Sequence, residues 1–447
     1  MNLIDPPLYP ARPAPPRRIA LISDHASPLA LPGSMDYGGQ HVYVANLARE
    51  LTSELAHGGA WVDVFTRRDT AGQAQLVQAG DRLRVIHVPA GPAHYLPQEQ
   101  LLPYMPRFAR AVTRFARRQP FSYDIVHANF FMSGMVARQL KAALGLPWVI
   151  TFHALGRVQR LAQGADGFSL VRTRIETELM HQADRILAAC TQDRLDMEQL
   201  YGASPARIAV APCGFDPDEL WPVPRAAARA RLGLPPGRFT LLQLGRLAPR
   251  KGADTVLQAL AMLRQRHGVD AELLVVGGQC APDGSADPGL SRLGALARQL
   301  GIAAHVRFLG QQPRAALRLW YGAADVFVTT PWCEPFGITA VEAMACARPV
   351  IGSEVGGIKS TVVDGLTGFL IPSRDPRALA ERLALLHADP QLAARMGQAG
   401  LRRAWQHYSA RAVAQQVAAV YAAVLDQTRD ATQDDIQTRA GSGMTTF

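Results

Sequence analysis

Pro331-Trp-Cys-Glu-Pro-Phe-Gly-Ile-Thr-Ala-Val-Glu342 is the stretch on which the reading of this chain turns. It follows Asp325–Thr329, a short apolar run of strand character, and passes through Pro335-Phe336-Gly337 into residues of helical period. A buried strand, a glycine-bearing turn and a helix, in that order, form one unit of a parallel α/β sheet. Gly337 leaves the first-turn N–H groups open to an anion, and the helix dipole favours one there. Glu334 falls in the loop and Glu342 lies further along the same helix. Glu342 is placed to accept hydrogen bonds from a ribose diol and Glu334 from hexose hydroxyls. A capped helix with two surface glutamates would carry the same letters, since acidic residues in a first turn stabilise a helix by roughly 0.3–1 kcal/mol. What favours a site is the company these residues keep.

That company begins upstream, where the strand Phe239–Leu244 ends in Gly245-Arg246 and Lys251-Gly252 opens a helix. A guanidinium can fork two phosphate oxygens and an ammonium adds a mobile point charge, so the pair suits a diphosphate. Taken alone, the same residues also fit a solvated basic loop. Further strands are expected at Glu272–Val276, Val306–Leu309, Pro349–Gly352 and Gly368–Ile371. The first half repeats the pattern at Arg18–Ser23, Trp61–Thr66, Arg84–Val88, Asp124–Ala128, Trp148–His153, Arg185–Ala189 and Arg207–Ala211. Helical patterns lie between, at Gln40–Ala56, Gln98–Arg118 and Ser169–His181. The fold class is therefore α/β, with two Rossmann-like domains whose parallel sheets face a cleft.

A chain of 447 residues exceeds what one core organises, and two domains are the natural division. The expected boundaries are a proline-rich arm over 1–17, a first domain over 18–212, a linker over 213–238 and a second domain over 239–408. A final helix over 409–425, crossing back to the first domain, and a polar tail over 426–447 complete the chain. Hydrophobic residues make up 48% and charged residues 19%, a globular balance. No apolar run reaches the ~18 residues a spanning helix needs, and the proline-rich start has no signal-peptide core. Five scattered cysteines without C-x-x-C spacing read as reduced thiols, so a cytoplasmic location is expected. The net charge of +10 has no long basic run interleaved with aromatics, which argues against nucleic acid. Weak association with an anionic membrane surface stays open.

The run EPFGITAVEAMACARPVIGSEVGGIKSTVVDGLTGFLIP, with its Glu-x7-Glu, resembles the donor-binding signature of family-4 retaining glycosyltransferases of GT-B fold. GRLAPRKG resembles that family's phosphate loop. The resemblance implies that Arg246 and Lys251 hold the donor diphosphate, Glu342 the ribose and Glu334 the transferred sugar. Phe336, Gly337, Ile338 and Thr339 would complete the donor site, with Val306–Gly310, and so Phe308, against the base.

In the first half, Asp36-Tyr-Gly-Gly-Gln-His41 leads into a helix, and Gly38-Gly39 there permit close approach of a phosphate or sugar. The wider run SPLALPGSMDYGGQHVYVANLARELT resembles two members of the family, the inositol-phosphate N-acetylglucosaminyltransferase of mycothiol synthesis and sucrose-phosphate synthase. By the same resemblance His153, in Thr151-Phe-His-Ala-Leu-Gly-Arg157, matches the histidine that contacts the donor sugar beside the reacting carbon. His41, Arg157, Arg172 and Arg174 would meet the acceptor. The spacing Arg172–Glu176 and Arg174–Glu178 also fits ordinary i,i+4 surface pairing. Three phosphate-contacting positions of the inositol-phosphate enzyme are changed: Phe130 stands for a Tyr, Ala154 for a Thr, and Gln98 lies near the expected Lys. These changes count against inositol phosphate as acceptor.

The implied reaction is transfer of a hexosyl group from a nucleotide-sugar, expected to be a UDP-sugar, to a hydroxyl of a small acceptor, phosphorylated or not. The configuration is retained, and no cofactor is needed beyond the co-substrate. His153, Arg246, Lys251 and Glu334 form the expected catalytic set. No metal site is expected, since the one Asp-x-Asp, Asp216-Pro-Asp218, falls in the linker; neutralising the leaving diphosphate would fall to Arg246, Lys251 and the helix at Gly337. A sugar-nucleotide epimerase of the same fold, sucrose-phosphate-synthase-like activity, and a non-catalytic anion-binding protein are the alternatives.

Overall fold

A computed structural model describes residues 16–30, 38–53, 59–164, 168, 170–278 and 287–442, without the side chains of 163 and 431–442. The expected arm over 1–17 lies almost wholly outside the described residues. The first sheet has eight strands: β1 (Arg18–Ile22), β2 (Trp61–Arg67), β3 (Leu76–Gly80), β4 (Leu83–Val88), β5 (Ile125–Asn129), β6 (Trp148–Thr151), β7 (Arg185–Ala188) and β8 (Ile208–Val210). Their order is β3-β4-β2-β1-β5-β6-β7-β8, with only β3 antiparallel. Alternation sets the two faces. Ala20 and Ile22 face the helices Met105–Arg118 and Phe131–Leu144, while Ile19 and Leu21 face the helix Gly39–Thr52.

The second sheet has six parallel strands: β9 (Phe239–Leu244), β10 (Ala271–Val276), β11 (Val306–Phe308), β12 (Val326–Thr329), β13 (Val350–Ser353) and β14 (Gly368–Ile371). Their order is β11-β10-β9-β12-β13-β14. Each sheet reverses order beside its central strand, β1 in one and β9 in the other, and the loops leaving these points open toward one cleft.

The stretch between the sheets is packed rather than extended. Phe215, Leu220, Ala228 and Leu234 join Leu242, Trp320 and Tyr321 in one face of the second core. Asp216, half of the linker Asp-x-Asp, is buried and paired with Arg49 at 2.7 Å. Where the chain leaves the first domain it meets its own return: Phe215 N donates to Tyr408 O and Ala410 N to Phe215 O, each at 2.8 Å. The helix Ala410–Ser442 then lies on the first domain, with Val413, Val417, Tyr421 and Val424 against Tyr43, Val44 and Leu47. It runs through Ser442, whereas a polar tail is expected from 426; that segment has no proline, and its first glycine is Gly441.

Candidate active site

A cleft of about 1360 Å³ runs between the two sheets, larger than the 300–1,000 Å³ typical of a single small-ligand pocket. The second-domain wall is the charged one: Arg246, Arg250, Lys251, Arg292, Arg314 and Lys359 line it. Arg246 follows β9 directly. Lys251 closes a short 3-10 turn, and Gly252 then caps the helix Ala253–His267. Gly252 has φ +70°, and a Cβ there would lie 1.9 Å from Thr330 O, so only glycine lets this loop sit against the end of β12.

Lys251 Nζ pairs with Glu334 Oε2. Glu334 is held by its backbone, since Gly357 N donates to Glu334 O at 3.0 Å. Gly356 packs so closely that a Cβ would fall 1.8 Å from that oxygen. The glycine pair Gly356-Gly357, which in the sequence reads equally as a plain helix start, is thus the seat of the Glu334 loop. Gly337 caps the helix Ile338–Ala345, and Phe336, Gly337, Ile338 and Thr339 all line the cleft. Across the gap, a Cβ on Gly39 would come 3.7 Å from Ile338 Cγ2, so the walls approach van der Waals contact at that point.

Glu342 is buried, with Oε1 accepting from Arg314 at 3.0 Å and Oε2 from Tyr321 Oη at 2.9 Å. Each carboxylate oxygen keeps a second lone pair for a ligand hydroxyl. Arg314 and Tyr321 escaped the sequence reading because their helix Arg314–Ala323 looks like any amphipathic helix. Phe308, in β11, alternates with exposed Arg307, packs with Val306 on the second core and is not among the residues that line the cleft. Gln311, Gln312, Gly277 and Gly278 form the wall there instead.

The first-domain wall is nearly neutral. His153 follows β6 with φ +60°, a conformation uncommon outside glycine. Its Nε2 lies 3.0 Å from Asn129 Oδ1 at the end of β5, and its ring meets Tyr43 edge-on at 5.0 Å. With Oδ1 as acceptor, Nε2 carries the hydrogen. Burial, then the neighbouring His127 and His25, pushes the imidazole pKa down to about 3, so the ring is neutral near pH 7. Asn129 gave no signal beyond a polar residue at a strand end. Gly38 and His41 close the start of the helix Gly39–Thr52, Gly38 N donating to His41 Nδ1 at 3.3 Å.

The arginines expected at the acceptor are scattered. Arg174 is 82% exposed and pairs with Glu178 at 3.0 Å, and it does not line the cleft. Arg157 also lies off the cleft, its guanidinium on Leu200 O and over the Tyr201 ring. Arg172 does reach the cleft but is 1% exposed, bonded to Glu176 at 2.7 Å, Gln159 at 3.2 Å and Ala154 O at 2.7 Å. For Arg174 the i,i+4 reading is the geometry found.

Two facing Rossmann-like domains with a cleft between their sheets define the GT-B architecture. Residues 38–214 match the family described as Glycosyl transferase 4-like domain, and residues 224–403 the family Glycosyl transferases group 1. The chain is 38% identical over 382 residues to the D-inositol 3-phosphate glycosyltransferase 2 of Catenulispora acidiphila, covering 85% of this chain and 88% of that one. It is 32% identical to the solved sucrose-phosphate synthase of Thermosynechococcus elongatus, with a TM-score of 0.82 over 92% of this chain and all of that one. Anabaena HepE, solved with UDP and glucose, shares the fold at 21% identity and a TM-score of 0.71, over 91% of this chain and 100% of that one. The chain belongs to the group 1, 4-like glycosyltransferases and is a glycosyl-transferring enzyme. No helix among the described residues is long and apolar enough to cross a membrane.

Proposed function

We propose that the enzyme moves a hexosyl group from a UDP-sugar to a hydroxyl of a small acceptor, with retention of the anomeric configuration and without a metal ion. The observation that carries this reading is the division of charge across the cleft. Arg246, Lys251 and the helix start at Gly337 gather on one wall, where a departing diphosphate would need them, opposite the neutral His153. Glu334, held beside Lys251, is placed for the hydroxyls of the transferred sugar, and Glu342 for the ribose.

In the proposed step the acceptor oxygen bonds to the anomeric carbon on the face from which the diphosphate leaves. The carbon–oxygen bond to the diphosphate breaks, and its electron pair goes to the phosphate oxygen. That oxygen takes the acceptor's proton, while Arg246 and Lys251 balance the charge. His153, its Nε2–H engaged by Asn129, would contact the sugar beside the reacting carbon. A cytoplasmic location is part of the proposal, supported by the free thiols of Cys190, Cys213, Cys333 and Cys346.

The test is a thermal-shift panel of UDP-, GDP- and ADP-sugars, followed by NMR of the product's anomeric proton. Inverted product would rule out retention, and a larger shift with GDP- or ADP-sugar would reassign the base. Formation of an epimer from donor alone would point to the epimerase alternative.

A further inference from the structure

Resting on the reading that the first-domain wall receives the acceptor, we propose that this acceptor is an uncharged hydroxyl compound with an apolar aromatic or alkyl body, not a phosphorylated sugar or polyol. Among the described first-domain residues that line the cleft, the only arginine or lysine is Arg172. Its charge is already neutralised by Glu176, a carboxylate with 0% exposure, at 2.7 Å. The three phosphate-free positions Gln98, Phe130 and Ala154 lie on this same wall.

The helix Gly156–Gln163 begins just after His153 and would ordinarily offer its first-turn amides to an anion. Here that place is filled from inside the protein. Gly156 N donates to both Glu176 oxygens, at 3.2 and 3.1 Å, Tyr201 Oη donates to Glu176 Oε2 at 2.5 Å, and Arg157 N donates to Tyr201 Oη at 2.9 Å. An acceptor phosphate beside His153 would therefore find the start of this helix already occupied and the one neighbouring cation already paired. Asp196 on the same wall would repel it.

Beside its glutamines and histidines, the wall offers an apolar surface. The Arg172 guanidinium is sealed beneath Phe130, Phe131 and Phe168, 5.1, 5.3 and 4.8 Å from their rings. Val158, Leu161 and Ala162 continue the surface along the helix, and Leu161 is 76% exposed although it lines the cleft. An exposed leucine beside an aromatic cluster at a substrate cleft suits an apolar body, because burying that surface is favourable while burying an unpaired phosphate is costly.

The test uses the full chain saturated with UDP. It is titrated with 4-methylumbelliferone, a neutral hydroxylated aromatic, and separately with fructose 6-phosphate and inositol phosphate. The umbelliferone is expected to bind at least tenfold more tightly than either phosphate, with little change between low and high salt. Leu161→Ala, at an exposed position where folding is not at stake, should weaken it several-fold. A phosphate compound that binds as tightly or more tightly, or a cleft that takes none of the three, overturns the proposal. A protein whose melting point ignores every nucleotide-sugar would instead overturn the transferase reading on which this one stands.

Discussion

Lys251 and Glu334 form an ion pair that joins the loop after β9 to the loop after β12, so one contact sets the geometry of both. Both side chains are mostly buried, which makes loss of either partner expensive. Lys251→Ala should cost about 2–5 kcal/mol in kcat/KM, the scale for stranding one member of a desolvated pair. Glu334→Ala should cost a similar amount, and the double variant much less than the sum. Strictly additive losses would show that the two act separately.

Gly356→Ala tests the seat of that carboxylate without touching it. The added methyl cannot coexist with Glu334 O at 1.8 Å, and φ is +44°, so the Glu334 loop must move. Donor affinity should fall at least tenfold while far-UV circular dichroism stays unchanged. Unaltered donor affinity would mean the loop position is irrelevant to binding.

His153 stores backbone strain on the first-domain wall of the cleft, with φ +60°. His153→Ala and His153→Gly both delete the ring, but only glycine accepts that backbone cheaply. The glycine variant should be more stable than the alanine variant by about 1 kcal/mol in chemical denaturation. Both should lose transfer to a similar degree. Equal stabilities would remove strain from the account.

His127 makes a prediction about acid. It is fully buried, bonded to Tyr421 Oη at 2.7 Å and Thr151 Oγ1 at 2.9 Å, and burial lowers its pKa from 6.5 to about 3. Below pH 6.5 the unfolded chain takes up a proton that the folded chain refuses. Stability from this group is thus complete above about pH 6.5 and declines as pH falls toward 3. The melting temperature should drop more steeply between about pH 7 and 4 in the wild type than in His127→Gln. Parallel curves would exclude His127 as the source.

Tyr321→Phe removes the hydroxyl that Glu342 Oε2 accepts from, leaving Arg314 as its remaining partner. A loss of about 1–3 kcal/mol in folding stability is expected, since a buried acceptor goes unsatisfied. Donor KM should rise with it, because Glu342 lines the cleft. A variant as stable as the wild type would indicate that water replaces the hydroxyl.

Most strands were legible because their apolar runs are bounded by turns and covered on both faces. β9 and β14 fall where the pattern puts them, and most other ends shift by a residue or two. β3 was not seen: it is a largely exposed antiparallel edge, with no apolar face for periodicity to reveal. The second-domain wall of the cleft was legible for a related reason. Gly337, Glu334 and Glu342 lie within one loop and helix, and the loop chemistry is local. That Phe308 packs on the core instead of lining the cleft is a matter of strand face, which short runs do not disclose. The first-domain wall depends on contacts far apart in sequence. Glu176 reaches back 20 residues to Gly156, and His153 finds Asn129 at a separation of 24. No spacing rule discloses such pairs, so the sequence shows the i,i+4 spacing of Arg172 and Glu176 but not that the pair is buried.

The returning helix Ala410–Ser442 has a consequence for how the protein is made. It covers Tyr43, Val44 and Leu47, residues that leave the ribosome more than 350 positions earlier. Until the last segment is synthesised, that face of the first domain has no cover, so the N-terminal half must wait for the whole chain before its core is complete. Truncation just after Tyr408 should therefore yield insoluble or chaperone-bound material rather than a separable pair of half-enzymes. The order of translation, in this architecture, runs against the order of assembly.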